Sequence, residues 1–175
     1  GQLTEPWGER LFSALSAAGG RAYSNYAVGY NNVDVAAATR HRIAVGNTPG
    51  VLTEATAEMA AALTLAAARR IGESERFLRA GRYRGWLPAL FLGELLRQKT
   101  LGVIGAGRIG AAYARMMIEA HKMNLVYFDL RPKPSLEAFV DEYGRFLASR
   151  GEAPVTVKRA ASVDEVLQAA DCVSI

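Results

Sequence analysis

The sequence predicts an α/β protein: an incomplete doubly wound parallel sheet of the Rossmann type, joined to a fragment of a second α/β domain. Three observations predict it. From Lys99 a strand, a glycine turn and an apolar helix follow one another, with G-x-G-x-x-G at Gly105, Gly107 and Gly110. A second apolar strand then ends on an acid, Asp129, 19 positions after Gly110. Short strands and helices alternate through the rest of the chain, the rhythm of βαβ units. On this reading residues 1–50 are part of one domain, 51–80 a connecting helix, and 81–175 part of the Rossmann domain.

Each glycine of the turn has its own task. Gly105 allows the tight turn off the strand Leu101–Ile104. Gly107, without a Cβ, lets the backbone approach a pyrophosphate. Gly110 lets the following helix lie close on the strand. That helix, from about Arg108, points its free N–H groups and the positive end of its dipole at the phosphates. A lone G-x-G-x-x-G is a weak signal, and a glycine turn that binds nothing is the plain alternative. Here strand, helix, second strand and acid all agree. Asp129 would accept hydrogen bonds from an adenosine ribose, and its charge favours NAD over NADP by repelling a 2′-phosphate. Arg131 weakens that preference slightly, being as readily a cofactor contact as a solvated loop arginine.

The elements before the turn follow in order. Leu11, Phe12 and Leu15 form the apolar face of a short helix ended by Gly19-Gly20. Arg21–Asn25 reads as a strand. Asn32 is the expected N-cap of a helix over Val33–Thr39, with Asp34 in its first turn. Arg42–Val45 is a second strand, and Gly46–Gly50 a turn cluster. Two strands do not close a core, and the sequence begins without methionine, so a preceding half-domain is expected. Thr53 can cap the next helix, rich in Ala and Leu and running to at least Arg70, with a kink expected at Gly72. Gly81–Gln98 forms an arm carrying Tyr83, Trp86, Leu87, Leu90, Phe91 and Leu92. It is too aromatic to leave in water. It either packs on its own domain or clasps a second subunit.

After Asp129, Arg131–Pro134 is a loop. Ser135 is the expected cap of a helix with Leu136, Phe139, Val140, Tyr143 and Leu147 on its apolar face, ended by Gly151. Val155–Lys158 is a strand, Ser162 caps a helix over Val163–Leu167, and Cys172–Ile175 is the fourth strand of the sheet. A complete Rossmann sheet has roughly six. The adenosine side is therefore mostly present and much of the nicotinamide side is not.

Composition narrows the remaining classes. The 175 residues are 50% hydrophobic, with net charge +4, an isoelectric point near 9.4 and mean hydropathy +0.04, enough for one good core or a domain and part of another. Six arginines fall between Arg69 and Arg84, but Glu73 and Glu75 interrupt them. They read first as a solvated helix face, next as steering for an anionic ligand, and only distantly as a nucleic-acid surface. The single cysteine, Cys172, rules out an internal disulfide. No signal segment opens the chain, and Ala55–Ala68 is too short to span a membrane. Two scattered histidines, His41 and His121, make neither a metal set nor a clear proton donor. No serine sits in G-x-S-x-G.

Leu101–Gly110, the preceding helix and Tyr30-Asn31-Asn32-Val33-Asp34 together resemble the D-2-hydroxyacid dehydrogenases. Ser24–Asp34, Val45–Glu54, Gly85–Pro88, Lys122–Leu125 and the extra helix Leu136–Leu147 narrow the resemblance to the plant and algal hydroxypyruvate reductases, or glycerate dehydrogenases. The resemblance spans nearly the whole chain. It implies a homodimer of two-domain subunits, the first domain flavodoxin-like, which reduces hydroxypyruvate to D-glycerate with NADH in photorespiration, with glyoxylate as a secondary substrate. It implies that backbone N–H groups of Val28 and Gly29 hold the substrate carboxylate. Thr56 would face the cofactor near its nicotinamide, Arg108 and Ile109 would meet the pyrophosphate through their backbone, and Asp129 the ribose. Trp86 would reach the partner subunit. The family's catalytic arginine, glutamate and histidine match no residue here, so no catalytic residue is assigned in this chain, and no metal is expected. A peroxisomal location is implied, with mitochondrion and cytoplasm left open. Alternatives are a glyoxylate or phosphoglycerate enzyme of the same family, or a non-catalytic NADH-binding corepressor on the same fold. The 175-residue piece alone is expected to dissolve poorly, bind NAD weakly and show no turnover, because a sheet cut part-way leaves an unpaired edge.

Overall fold

The computed structural model describes residues 1–175, which form two compact units, Gly1–Leu52 and Thr53–Ile175. The first contains α1 (Glu9–Ala17), β1 (Ala22–Ser24), α2 (Val35–Arg40) and β2 (Ala44–Gly46). The two strands are parallel, with Tyr23 opposite Val45. Phe12 is fully buried and meets Tyr23 edge-to-face at 5.8 Å, while Trp7 lies 4.2 Å from the Tyr23 ring. Ala37, Ala38, Val33 and Ile43 complete this core. It is small and depends on its aromatic residues.

Two expectations for this unit need correcting. The cap of α2 is Asp34, whose Oδ1 accepts the Ala37 N–H at 2.8 Å, and the helix starts at Val35. Asn32 does not cap because it lies in the turn that leads into a bridge between Trp7 and Val33. The Trp7 N–H donates to the Asn32 carbonyl, and the Asp34 N–H to that of Trp7, both at 2.8 Å. The second strand starts at Ala44, because Arg42 sits in the left-handed region (φ 57°) and the chain is still turning there.

The second unit contains α3 (Thr53–Ala68), α4 (Ile71–Arg79), β3 (Thr100–Ile104), α5 (Arg108–His121), β4 (Asn124–Phe128), α6 (Pro134–Ser149), β5 (Val157–Arg159), α7 (Val163–Ala169) and β6 (Cys172–Ser174). Its sheet has the order β5-β4-β3-β6, parallel throughout. Strand residues alternate between two cores, as a period of two requires. Leu101, Val103, Leu125 and Tyr127 join Tyr113, Met117, Leu136 and Val140 under α5 and α6. Val126, with Ile104 and Phe128, faces Val166 of α7. Gly102 lets α7 come close: a Cβ there would stand 2.8 Å from Val166 Cγ1 and Ala170 Cβ.

The long helix before the Rossmann strand is broken at Arg70 (φ 54°), not at Gly72, which lies inside α4. Thr53 is the first helical residue of α3, not a cap outside it. Ala57 of α3 is fully buried in the α5 core. Ser135 is not the cap of α6. Pro134 takes the first helical position, where its missing N–H costs nothing, and the cap residue is Lys133. The third strand of the sheet comes later than expected, at Val157–Arg159, because Asn124 Oδ1 takes the Thr156 N–H at 2.9 Å just before it. In the arm, Leu96 is buried and Phe91 meets Phe77 edge-to-face at 5.1 Å, whereas Trp86 is 79% exposed. No helix is long and apolar enough to cross a membrane.

Replacing Phe12 by Ala should destabilise the first unit by about 3–5 kcal/mol, since a fully buried ring is lost from a small core. Chemical denaturation of the protein expressed from its complete reading frame checks this. A loss below about 1 kcal/mol would show that Phe12 is not central to that core.

Candidate functional site

The glycine turn and Asp129 come together through the register of two strands. Ile104 pairs with Phe128, and the Gly105 N–H donates to the Phe128 carbonyl at 2.8 Å. The residues that follow each strand, the turn on one side and Asp129 on the other, therefore emerge next to each other. Gly105 takes φ +94°, which an L side chain adopts only under strain. A Cβ on Gly107 would meet no protein atom within 4 Å, so the space before it is open to a ligand. A Cβ on Gly110 would lie 2.3 Å from the Gly105 carbonyl oxygen. The tight turn at Gly105 and the close approach at Gly110 are present as expected, and Gly107 has open space beside it.

Gly107 is the N-cap of α5 and supplies no side-chain hydrogen bond to it. The backbone N–H groups of Arg108, Ile109 and Gly110 meet no backbone carbonyl either. They stand free at the positive end of the dipole of a 14-residue helix, where an anion would be stabilised. These residues fit a dinucleotide pyrophosphate.

Asp129 is half-buried at the end of β4. Its Oδ1 accepts the Arg131 N–H at 3.1 Å, and its Oδ2 pairs with Lys133 Nζ at 3.1 Å. The Arg131 N–H above all, and then Lys133, hold its carboxyl below the usual carboxylate range. Arg159, from β5, donates from Nη2 to the Asp129 carbonyl at 3.1 Å. Behind them Tyr127, fully buried, accepts the Lys133 N–H at 2.9 Å and donates to Glu137. Sequence reasoning singled out Asp129 and Arg131 but missed Lys133 and Arg159. The four-residue spacing of Asp129 and Lys133 was an available signal. Arg159 becomes a neighbour only through the strand order.

Thr56 lies elsewhere in this unit. It lines a groove of about 1000 Å³ with Met59, Leu63, Cys172 and Ser174, between α3 and β6, and the glycine turn is not part of that lining. Burial there pushes the Cys172 thiol up. No cluster of His, Cys, Asp and Glu suited to a metal ion is present.

In the first unit, Val28 and Gly29 belong to a loop held from behind by amides. Asn47 Nδ2 donates to the Val28 carbonyl at 2.8 Å, and Asn25 Nδ2 to the Gly29 carbonyl at 2.9 Å. Asn25 is fully buried, and its amide pairs with that of Asn32 at 3.2 and 3.3 Å. Tyr23 donates to Asn25 Oδ1 at 3.1 Å. The carbonyls of both residues are occupied, while their N–H groups make no backbone hydrogen bond. Asn25, Asn32 and Asn47 are the supports of this loop, and their polar character alone did not mark them in the sequence.

Residues 61–175 match the family model described as D-isomer specific 2-hydroxyacid dehydrogenase, NAD binding domain. The chain belongs to the D-isomer specific 2-hydroxyacid dehydrogenases. The NAD-binding assignment of the matched domain agrees with the cofactor expected from the glycine turn. Among similar proteins, the glycerate dehydrogenase of Cucumis sativus is 69% identical over all 175 residues, which cover 46% of its length. The peroxisomal glycerate dehydrogenase HPR of Arabidopsis thaliana is 67% identical over the same residues, 45% of its length. The chain thus spans just under half the length of these curated relatives. A crystal structure of a Thermus thermophilus protein superposes with a TM-score of 0.80 at 35% identity, covering 98% of this chain and 48% of the other.

Two glycine variants separate fold from binding. Gly107→Ala should weaken NAD binding by roughly tenfold or more with an unchanged melting temperature, because its Cβ meets only the ligand's space. Gly110→Ala should weaken NAD binding and also cost about 1–3 kcal/mol of stability, because its Cβ meets the backbone. Calorimetric titration and thermal melts check both. A Gly107→Ala protein with normal NAD affinity would contradict the assignment of the turn.

The lowered Asp129 pKa gives a pH expectation. A depressed carboxyl contributes above its ordinary range and loses that contribution only as pH falls through the lowered value. The contribution of Asp129 to NAD affinity should therefore persist as pH falls through the ordinary Asp range, near about pH 4, and be lost only below it. A step near the ordinary Asp value, abolished by Asp129→Asn, would show that the contacts of the carboxylate with the Arg131 N–H and Lys133 do not hold in solution.

Proposed function

We propose that the protein carrying these residues is an NADH-dependent hydroxypyruvate reductase, converting hydroxypyruvate to D-glycerate and taking glyoxylate as a secondary substrate. The observation that carries this reading is the pairing of the glycine turn with Asp129 in a chain 69% identical to a glycerate dehydrogenase. The reaction is a two-electron reduction. Hydroxypyruvate, NADH and one proton give D-glycerate and NAD+.

NADH, when bound, supplies the hydride. The chain's own residues bind and orient. The N–H groups of Arg108 and Ile109, opened by Gly105, Gly107 and Gly110, hold the pyrophosphate. Asp129 accepts from the ribose hydroxyls. Thr56 is assigned to the nicotinamide end on family resemblance alone. The N–H groups of Val28 and Gly29 hold the substrate carboxylate, and the amides of Asn25 and Asn47 fix the loop that presents them. Such fixing puts the ordering cost into folding and not into binding. No catalytic acid or base is assigned among these residues.

The partner is taken to be a second copy of the subunit. The support is the exposed apolar run of the arm, with Trp86 at 79%, Leu87 at 61% and Leu92 at 66% exposure. Three such side chains in seven residues form a surface suited to burial. A peroxisomal location follows by analogy with the Arabidopsis relative, whose name carries it, and a role in photorespiration is assigned on family resemblance alone.

The test is steady-state kinetics of the protein expressed from its complete reading frame. kcat/KM for hydroxypyruvate with NADH should exceed that for glyoxylate by roughly tenfold or more. The reverse order would make it a glyoxylate reductase, as a Thermococcus litoralis relative, 48% identical over 118 residues, is named. No oxidation of NADH with either acid would reject a reductase.

A further inference from the structure

We infer that the hydroxyl pair of Thr64 and Tyr113 is a positioning device for the cofactor. It fixes α3 along α5, and so sets where Thr56 stands relative to the helix start that holds the pyrophosphate. The inference rests on the proposed assignments of Thr56 to the nicotinamide end and of the α5 start to the pyrophosphate, and it adds two residues that touch neither.

Five residues of α3 join the core under α5, and four of them are alanines: Ala57, Ala60, Ala61 and Ala68. Alanines make shallow ridges, which resist the sliding of one helix along another less than large side chains do. One side-chain hydrogen bond crosses this surface. Thr64 Oγ1 lies 2.6 Å from the Tyr113 hydroxyl. Tyr113 is 1% exposed, and its hydroxyl has no other partner. Thr64 Oγ1 also donates to the Ala60 carbonyl at 2.9 Å. Each hydroxyl has one proton, so the chain of hydrogen bonds runs from Tyr113 to Thr64 to the Ala60 carbonyl. The opposite order would leave the buried Tyr113 proton without an acceptor. Burial pushes the Tyr113 phenol up and keeps it a donor.

Both members of the pair stand on helices assigned to the cofactor. Thr64 follows Thr56 by eight residues in an unbroken 16-residue helix, roughly 12 Å along it, and both line the same groove. Tyr113 follows Arg108 by five residues, roughly 8 Å along α5. α3 is tied once more at its far end, where the Glu94 N–H donates to the Ala68 carbonyl at 2.8 Å. The hydroxyl pair is therefore the tie nearest to Thr56. Without it the N-terminal half of α3 is held by apolar contact alone. At the end of a cofactor that transfers hydride, a misplacement of about 1 Å costs up to about a hundredfold in rate.

The test compares NADH with ADP-ribose, which keeps the adenosine and the pyrophosphate and lacks the nicotinamide. The protein expressed from its complete reading frame is titrated calorimetrically with each. Tyr113→Phe and Thr64→Val should each leave ADP-ribose within about twofold of the wild type and weaken NADH by roughly fivefold. The double variant should bind NADH no more weakly than either single one, and Thr64→Ser, which keeps the hydroxyl, should bind it as the wild type does. Far-ultraviolet dichroism and melting of each variant establish that it is folded. A lowered melting temperature with both affinities unchanged would overturn the inference and leave the pair a structural contact only. Equal weakening of both ligands would overturn it as well, because the pair would then act on the pyrophosphate end. Thr56→Ala tests the underlying assignment separately. If it weakens NADH alone while Tyr113→Phe and Thr64→Val do not, only the inference falls. If it changes neither ligand, the assignment of Thr56 falls and the inference with it.

Discussion

The Rossmann unit depends on one register, that of β3 against β4. Leu101 opposite Leu125 and Val103 opposite Tyr127 put the large apolar side chains on the face covered by α5 and α6. A slip of one residue would turn all four to the other face. The same register ends both strands together, and the Gly105 N–H closes it on the Phe128 carbonyl. One hydrogen-bonded ladder therefore sets the core and also brings the anion-binding turn beside Asp129. The packing of the unit and the geometry of its site have a single origin.

The two units carry their polar chemistry differently. In the second, backbone N–H groups are left free by the start of a helix, and no side chain caps them. In the first, the loop at Val28 and Gly29 is shaped by side-chain amides that occupy its carbonyls. Asn25 is fully buried and satisfied through Tyr23, Gly29 and Asn32. Leaving such a group without partners would cost about 1–3 kcal/mol, so the network is either complete or harmful. A loop held this way reaches its shape on folding.

What could be read in the sequence was what local chemistry decides. Gly105, Gly107, Gly110 and Asp129 were legible because turn, helix start and strand end each need a particular residue type. The strand Leu101–Ile104 and the apolar strand before Asp129 were legible from their short apolar runs. The errors fell where a distant partner overrides a local preference. Asn32 is a good cap by type, but it sits in the turn before the Trp7–Val33 bridge and Asp34 caps instead. Ser135 is a good cap by type, but Pro134 already occupies the first helical position. Arg70 in the left-handed region breaks a helix where Gly72 was the expected weak point. Arg159 could not be placed beside Asp129 without knowing that β5 lies next to β4.

The most direct test of the account is amide chemical-shift mapping of NAD on the isotopically labelled protein expressed from its complete reading frame. The largest shifts should fall on Gly107, Arg108, Ile109 and Gly110, with a second set at Asp129 and Arg131. Shifts concentrated instead on the groove between α3 and β6, with the glycine turn unchanged, would contradict the claim that the β3–β4 register builds the cofactor site.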